Sequence, residues 1–129
     1  MADAEAAAVL ALSPEVAARY DACAAEPGLD RDCARSFVAA FARRAHRGPV
    51  DDARIDELLT TFDDALLEGA PTALQATLVR VLLDPEFLYR VELGGTPADN
   101  GTLLRLTPHE VANRLSFVLL DGPPSDTLL

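Results

Sequence analysis

Apolar residues recur at intervals of three and four along much of the chain, the spacing that places them on one face of an α-helix. The clearest stripe consists of Ile55, Leu58, Leu59, Phe62, Leu66 and Leu67. Shorter stripes of the same spacing lie in residues 31–47 and 71–83, and no segment shows a convincing strand pattern. The pattern predicts an all-α fold, a small helical bundle of about five to six helices.

Capping and helix-breaking residues separate these stripes. Ser13, followed by a proline, predicts a helix that continues to about Ala25, and residues 26–28 contain a Pro-Gly stop. Asp30 and Asp51 are predicted N-caps of the next two helices, because a carboxylate there accepts hydrogen bonds from N–H groups of the first turn. Helices in the first half of the chain thus have defined starts.

The last predicted helix is apolar over an unusually large part of its surface. Thr107 and Glu110 fit a capping box that opens it. Apolar residues nearly encircle its second half, and a finished domain generally covers such surface. We therefore expect a chain that is incomplete at its C-terminal end, with Leu115, Val118 and Leu119 as a candidate interface for self-association.

These boundaries predict four parts of the chain. They are an N-terminal helical segment (1–22), a helical domain (23–93), a linker loop (94–106) and the truncated start of a second helical domain (107–129). The linker is predicted from the polar, glycine-containing composition of its first eight residues.

Charge and hydropathy argue against a nucleic-acid partner, a membrane span and an export signal. It has 21 acidic residues against 11 basic ones, a formal charge of −10, and a field of that sign repels nucleic-acid phosphates. Its apolar runs are shorter than the roughly 18 residues of a membrane span. The N-terminal residues include acids where an export signal carries positive charge. We expect no nucleic-acid partner, no membrane span and no signal peptide in this chain.

Two consecutive predicted helices carry opposite charge. Residues 31–47 hold five arginines and one acid, whereas residues 51–68 hold seven acids and one arginine. Helices joined by a short Gly-Pro turn are usually antiparallel neighbours, so we predict charge pairing between them; a phosphate or acidic-ligand site on the basic helix is the alternative. The candidate pairing residues are Arg43, Arg44 and Arg47 on the first helix and Asp56 and Glu57 on the second.

Catalytic and cofactor-binding patterns are absent from the sequence. There is no Ser-His-Asp order, no Gly-rich phosphate loop and no Cys-x-x-Cys-His haem attachment. His46 and His109 lack a third ligand at matching spacing, and the acids at 51–52 and 63–64 are adjacent, so they point in different directions along a helix. We expect no catalytic, cofactor-binding or metal-binding residue in this chain.

An aromatic segment follows the helix-breaking Pro85. The simplest interpretation of Phe87, Leu88 and Tyr89 is that they fill the core, and a ligand pocket there is the alternative. A buried pairing of Arg90 with Glu92, or of Arg114 with an acid, is expected to be structural.

Several blocks of sequence carry a family resemblance. In order, these are a cysteine at 23, CARSFVAAFARRAHRGPV from 33, LLDPEFLYRVE from 82 and LTPHEVANRLSFVLLDGPPSDTLL from 106. Together they resemble planctomycete-type exported proteins of unknown function, large multidomain chains linked to c-type cytochromes. Residues 23–92 look like the family's domain of unknown function fifteen-ninety-five, and residues 106–129 look like the start of domain fifteen-ninety-two.

The resemblance implies a function by association. The chain is then a non-catalytic helical scaffold or interaction module of a larger exported, periplasmic protein, with haem c elsewhere in that protein. Its partners are the remainder of that protein or a cytochrome c module. The alternative is part of an oxidoreductase or electron-transfer subunit whose haem and active site lie outside this chain. A weaker alternative is a standalone, cytoplasmic module that binds a basic protein through its acidic surface.

Export also bears on the two cysteines. Nine residues separate Cys23 from Cys33, which is not the spacing of a redox motif or a zinc knuckle. If the whole protein is exported, the resemblance implies a structural disulfide between them, and a metal half-site or a redox pair are the alternatives. In a reducing compartment both would be small core residues.

Overall fold

The computed structural model describes residues 1–25, 29–125 and 127–128 of the chain. The chain divides into two compact units, a helical unit (Met1–Leu88) and a hairpin unit (Tyr89–Leu129). The helical unit contains α1 (Ala2–Ala11), α2 (Pro14–Ala17), α3 (Arg31–Ala45), α4 (Asp52–Ala65), α5 (Ala70–Leu82) and α6 (Pro85–Leu88), with 3₁₀ turns at Ala22–Ala25 and Leu66–Glu68. The hairpin unit contains β1 (Thr96–Ala98), a 3₁₀ turn (Asp99–Gly101), β2 (Leu103–Arg105) and α7 (Pro108–Leu120).

The side-chain caps predicted at Asp30, Asp51 and Thr107 are confirmed, whereas Ser13 makes no side-chain cap at the start of α2. The Asp30 side chain accepts from the N–H of Cys33 at 2.8 Å, and Asp51 accepts from the N–H of Arg54 at 2.8 Å. In α7, Thr107 caps the helix and makes a capping box with Glu110. The fold is therefore predominantly helical, as the apolar spacing predicts.

The core lies between α3, α4 and α5, where the apolar stripes meet. Its largest fully buried side chains are Phe37, Val38, Leu58, Leu59, Phe62, Leu74, Leu78 and Val81. Helix α1 packs on α5 and contributes Ala8 and Ala11 to the same core. The N-terminal segment therefore shares a core with the helices that follow it. No helix in the described part of the chain is long and apolar enough to cross a membrane.

The predicted continuous helix from Ser13 to Ala25 is wrong. Helix α2 ends at Ala17, and the ring of Tyr20 then packs 5.5 Å from that of Phe37. The Asp21 side chain accepts from the N–H of Cys23 at 3.1 Å, and such a local side-chain bond competes with helical hydrogen bonding. The predicted stop at residues 26–28 lies outside the described residues.

The predicted linker loop at 94–106 is also wrong, because the segment contains an antiparallel hairpin. Strand β1 pairs with β2 in the register Thr96 to Arg105. Asn100 and Gly101 both have positive φ, at 61° and 81°, as a two-residue hairpin turn requires. Gly94 also has positive φ, 72°, and a Cβ there would lie 2.7 Å from that of Leu104. The chain is therefore not purely all-α.

Candidate functional site

Ion pairs join α3 to α4 across their exposed flank. Arg31, at the start of α3, binds Asp63 near the end of α4 at 2.9 Å, the order expected of antiparallel helices. Arg35 binds Asp52 at 2.9 Å and also binds Asp56. The hydrogen bond from Arg31 lowers the pKa of Asp63. Water screens these exposed pairs, so they set the alignment of the two helices more than they stabilise them.

The ion pairs described above between α3 and α4 use Arg31 and Arg35, whereas the sequence predicts Arg43, Arg44 and Arg47 opposite Asp56 and Glu57. Arg43 is exposed and makes no ion pair within the described residues. The guanidinium carbon of Arg44 lies 5.5 Å from the ring centroid of Tyr20. Arg44 follows Arg35 by nine positions, which is about half a turn around an α-helix. It therefore lies on the side of α3 away from α4.

Arg47 connects the end of α3 to α6. Helix α3 ends in a Schellman motif, in which Gly48 N–H donates to the carbonyl of Arg43 at 3.2 Å and Arg47 has a φ of 57°. Glycine usually occupies that position, because a Cβ is strained there. The buried guanidinium of Arg47 donates to the backbone carbonyls of Glu86 at 2.8 Å and Phe87 at 3.2 Å. One residue thus ends α3 and holds α6.

Arg54 of α4 reaches the same segment through Asp84. Its guanidinium binds the Asp84 carboxylate, whose side chain is only 5% exposed. The other oxygen of Asp84 accepts from the N–H of Glu86 at 2.9 Å, which caps the start of α6. Hydrogen bonding to Glu57 and then the charge of Asp84 raise the pKa of Arg54. Glu57 in turn accepts from Arg80 of α5 at 2.9 Å, so α4, α5 and α6 meet here.

His46, the C-cap residue of α3, completes this group. Its side chain is 2% exposed, and Nδ1 lies 3.2 Å from Oε2 of Glu86. Burial lowers the pKa of the imidazole, although the charges of Glu86 and Asp84 oppose that effect. We call this group the α6 clamp; it consists of His46, Arg47, Arg54, Asp84 and Glu86.

The α6 clamp leaves the side chains after Pro85 at the surface. Phe87, Leu88 and Tyr89 are all exposed, so the prediction that they fill the core is wrong. The polar groups explain why, since α6 is held by its backbone carbonyls and by Asp84. A small apolar cleft of about 300 Å³ lies beside α6 and is lined by residues of α1, α5 and α6.

The two cysteines lie at bonding distance, with their sulfur atoms 2.01 Å apart and their Cα atoms 5.9 Å apart. The bond joins the 3₁₀ turn at Ala22–Ala25 to the first turn of α3. Asp21 accepts from the N–H of Cys23, and Asp30 accepts from the N–H of Cys33. Each cysteine is therefore positioned by a capping carboxylate close to it in sequence.

We expect the disulfide to form in protein recovered from an oxidising compartment. Intact-mass analysis after alkylation without reductant should then show no label, and reduction should lower the free energy of unfolding by roughly 2–3 kcal/mol, because a closed loop of this size restricts the unfolded chain. A Cys23→Ser, Cys33→Ser variant should match the reduced protein. Two labels on unreduced protein would contradict the prediction.

In the hairpin unit, one carboxylate ties the start of α7 to the chain before β1. Glu110 accepts from the N–H groups of Leu93 at 2.7 Å, Gly94 at 2.9 Å and Thr107 at 2.6 Å. These backbone hydrogen bonds, first that of Thr107, lower the pKa of Glu110 to about 2. The carboxylate is therefore ionised at any pH near neutrality.

Two further contacts hold α7 to the residues that precede β1. Arg114 binds the Glu92 carboxylate, as the sequence predicts for a structural arginine, and the Arg90 guanidinium carbon lies 4.9 Å from the ring centroid of Phe117. Both contacts lie within the hairpin unit, and the charge of Arg114 is neutralised there.

The apolar residues of α7, unlike its bound charged residues, are exposed to solvent. We define the α7 face as Val111, Leu115, Val118 and Leu119, whose spacing places them on one side of the helix. All four are exposed, and Val118 and Leu119 are each 73% exposed. Leu115, Val118 and Leu119, the candidate interface residues of the sequence, are thus exposed, and the interface itself stays a prediction. The sequence also offers Ser125 as the cap of a further helix, and that segment includes Asp126 and Leu129, which lie outside the described residues.

No metal-binding group is found within residues 1–25, 29–125 and 127–128, where no three His, Cys, Asp or Glu side chains lie close enough to hold an ion. His46 and His109 belong to different units. Sequence reasoning missed the α6 clamp, although the acid and proline at 84–85 and the arginine before Gly48 were available signals for it.

Comparison with known proteins gave one family match. Residues 33–92 match the family described as PSD5, protein of unknown function (DUF1595). The matched segment runs from Cys33 through α3, α4, α5 and α6, and so contains every member of the α6 clamp. No curated protein and no solved structure matched the chain. These 60 residues are therefore similar to the family of domain fifteen-ninety-five, while the resemblance to domain fifteen-ninety-two stays a prediction.

Proposed function

We propose that this chain is a non-catalytic interaction module of a larger exported protein, and that the α7 face is where it docks. The exposure of the α7 face is the observation that carries the proposal. Burying apolar surface is favourable by about 25 cal/mol for each Å² removed from water, and an exposed apolar face forgoes this free energy. Four large apolar side chains on one side of a helix therefore favour a covering partner.

The partner that fits best is an apolar helical protein surface. Charge supports this choice, since the hairpin unit holds five acids and three arginines and so carries −2, against −8 for the helical unit. Arg114 and Glu110 are already bound within the hairpin unit. An apolar contact at α7 would therefore bury few charged groups.

The family resemblance supplies the finer part of the proposal. It names the remainder of a larger exported protein, associated with c-type cytochromes, as the polypeptide that carries the covering surface. The helical unit then serves as the folded base of the module, held by its core and its disulfide.

The chain by itself should reveal the α7 face. We expect concentration-dependent self-association in size-exclusion chromatography with light scattering, together with binding of a hydrophobic dye, because apolar faces without a partner cover one another. Leu119→Glu should reduce both by placing a charge in the face. Leu67→Glu is the matched control, since Leu67 is fully exposed in the helical unit.

Two results would overturn the proposal. One is a monomer at all concentrations that binds no dye, which would show that the α7 face needs no cover. The other is an equal loss of association in both variants, which would place the contact elsewhere.

A further inference from the structure

Polar contacts hold the backbone of helix α6 in place. Arg47 donates to its carbonyls, and the Asp84 side chain accepts from the N–H of Glu86. Phe87 and Leu88 are 36% and 54% exposed, and neither belongs to the hydrophobic core. A short element fastened in this way can be released if one of its polar contacts changes charge.

Within the α6 clamp, His46 is the residue type whose charge ordinarily changes near neutral pH. Its side chain is 98% buried, and neither ring nitrogen makes a hydrogen bond within the described residues. Nδ1 lies close to the Glu86 carboxylate, but not in hydrogen-bonding geometry. An imidazole without partners is tolerated when neutral and is strongly disfavoured when charged and shielded from water.

The charged groups around His46 do not remove this cost. Arg47 and Arg54 repel a protonated ring. Asp84 attracts one but is already bound to Arg54. Glu86 is the remaining anion, and its side chain is 56% exposed, so water screens its attraction.

We propose that His46 makes α6 an acid-sensitive latch, in which protonation of the ring favours a state where α6 has left α3 and the imidazole reaches water. The released state frees the carbonyls of Glu86 and Phe87 and moves the exposed apolar side chains of α6. This inference concerns the helical unit and does not depend on the proposed role of the α7 face.

The direction of the pH effect follows from burial. Burial holds the pKa of His46 below its ordinary value while α6 is in place, so the released state binds a proton more readily. The latched state is therefore fully favoured above an ordinary histidine pKa of about 6.5 and is progressively lost as pH falls below it. One proton changes the latch equilibrium by at most about tenfold for each pH unit.

Amide hydrogen exchange tests the latch in the full chain. The amides of Phe87 and Leu88 donate to the Asp84 carbonyl while α6 is in place. After correction for the intrinsic effect of pH on exchange, we expect their protection to fall several-fold between about pH 7 and pH 5. His46→Phe should make protection independent of pH, and His109→Phe should leave the wild-type dependence unchanged.

A second variant keeps the test decisive if His46→Phe does not fold. Glu86→Gln removes the carboxylate that favours a protonated ring in the latched state, so it should make the loss of protection with acid larger. Protection that does not vary with pH in the wild type would overturn the latch. So would a pH dependence that survives His46→Phe or disappears in Glu86→Gln, because the titrating group would then not be His46.

Discussion

Arg54→Met is expected to destabilise the chain by about 3 kcal/mol, the lower end of the range for breaking a buried ion pair. The reason is Asp84, whose carboxylate is almost completely buried and would lose its cation. An unpaired buried charge costs more than the lost attraction, because the carboxylate has already given up its water. Chemical denaturation followed by circular dichroism measures the change.

Two further variants separate the charge effect from lost packing. Asp84→Asn keeps an oxygen that can cap α6 but carries no charge, so in the Arg54→Met background it should restore part of the stability. Arg43→Met removes an exposed arginine of α3 and should change stability by no more than about 0.5 kcal/mol. If Arg54→Met and Arg43→Met unfold at the same denaturant concentration, Asp84 is not a buried charge that needs Arg54.

The second large effect is expected at Arg47. Arg47→Ala should cost about 2–4 kcal/mol, because the carbonyls of Glu86 and Phe87 lose a charged donor. Arg47→Gly loses the same hydrogen bonds but relieves the strain of a Cβ at positive φ. It should therefore be more stable than Arg47→Ala by about 1 kcal/mol. The difference between the two melting curves measures the strain directly.

Arg43→Ala is the control for that pair of variants, since its side chain is exposed on the same helix. Equal stability of Arg47→Ala and Arg47→Gly would mean that the backbone at position 47 relaxes out of the left-handed region. Stability of both close to that of Arg43→Ala would mean that the guanidinium of Arg47 does not hold α6.

The helices of the core could be predicted because each signal for them is local. Apolar residues at helical spacing and the caps Asp30 and Asp51 specify α3 and α4 within a residue or two. The capping box at Thr107 specifies α7 in the same way. A helix is closed by hydrogen bonds between near neighbours, so its sequence signals lie within the segment itself.

The hairpin was missed for a related reason. Its strands are three residues each, too short to show alternation, and their side chains are mostly exposed. The one strong signal was Asn100-Gly101, a dipeptide that favours a tight hairpin turn. The composition of the surrounding residues favoured a loop more strongly than that dipeptide favoured a turn.

The α6 clamp could not be derived from charge totals. Opposite net charge on two helices correctly indicated that α3 and α4 are neighbours, as the Arg31 and Arg35 pairs show. It did not indicate which arginines face α4, since that depends on their angle around the helix. The contact of Arg47 with backbone carbonyls has no charge pattern at all.

The position of Arg47 also limits which insertions and deletions α3 can accept. Because this residue both ends α3 and binds α6, the length of α3 is coupled to the placement of a segment 39 positions later. Inserting or deleting one residue within α3 would turn Arg47 by about 100° around the helix axis. Its guanidinium would then point away from Glu86. We therefore expect single-residue insertions and deletions between the disulfide and Gly48 to break the contact with α6. The hairpin turn at Asn100 has no such coupling to α6.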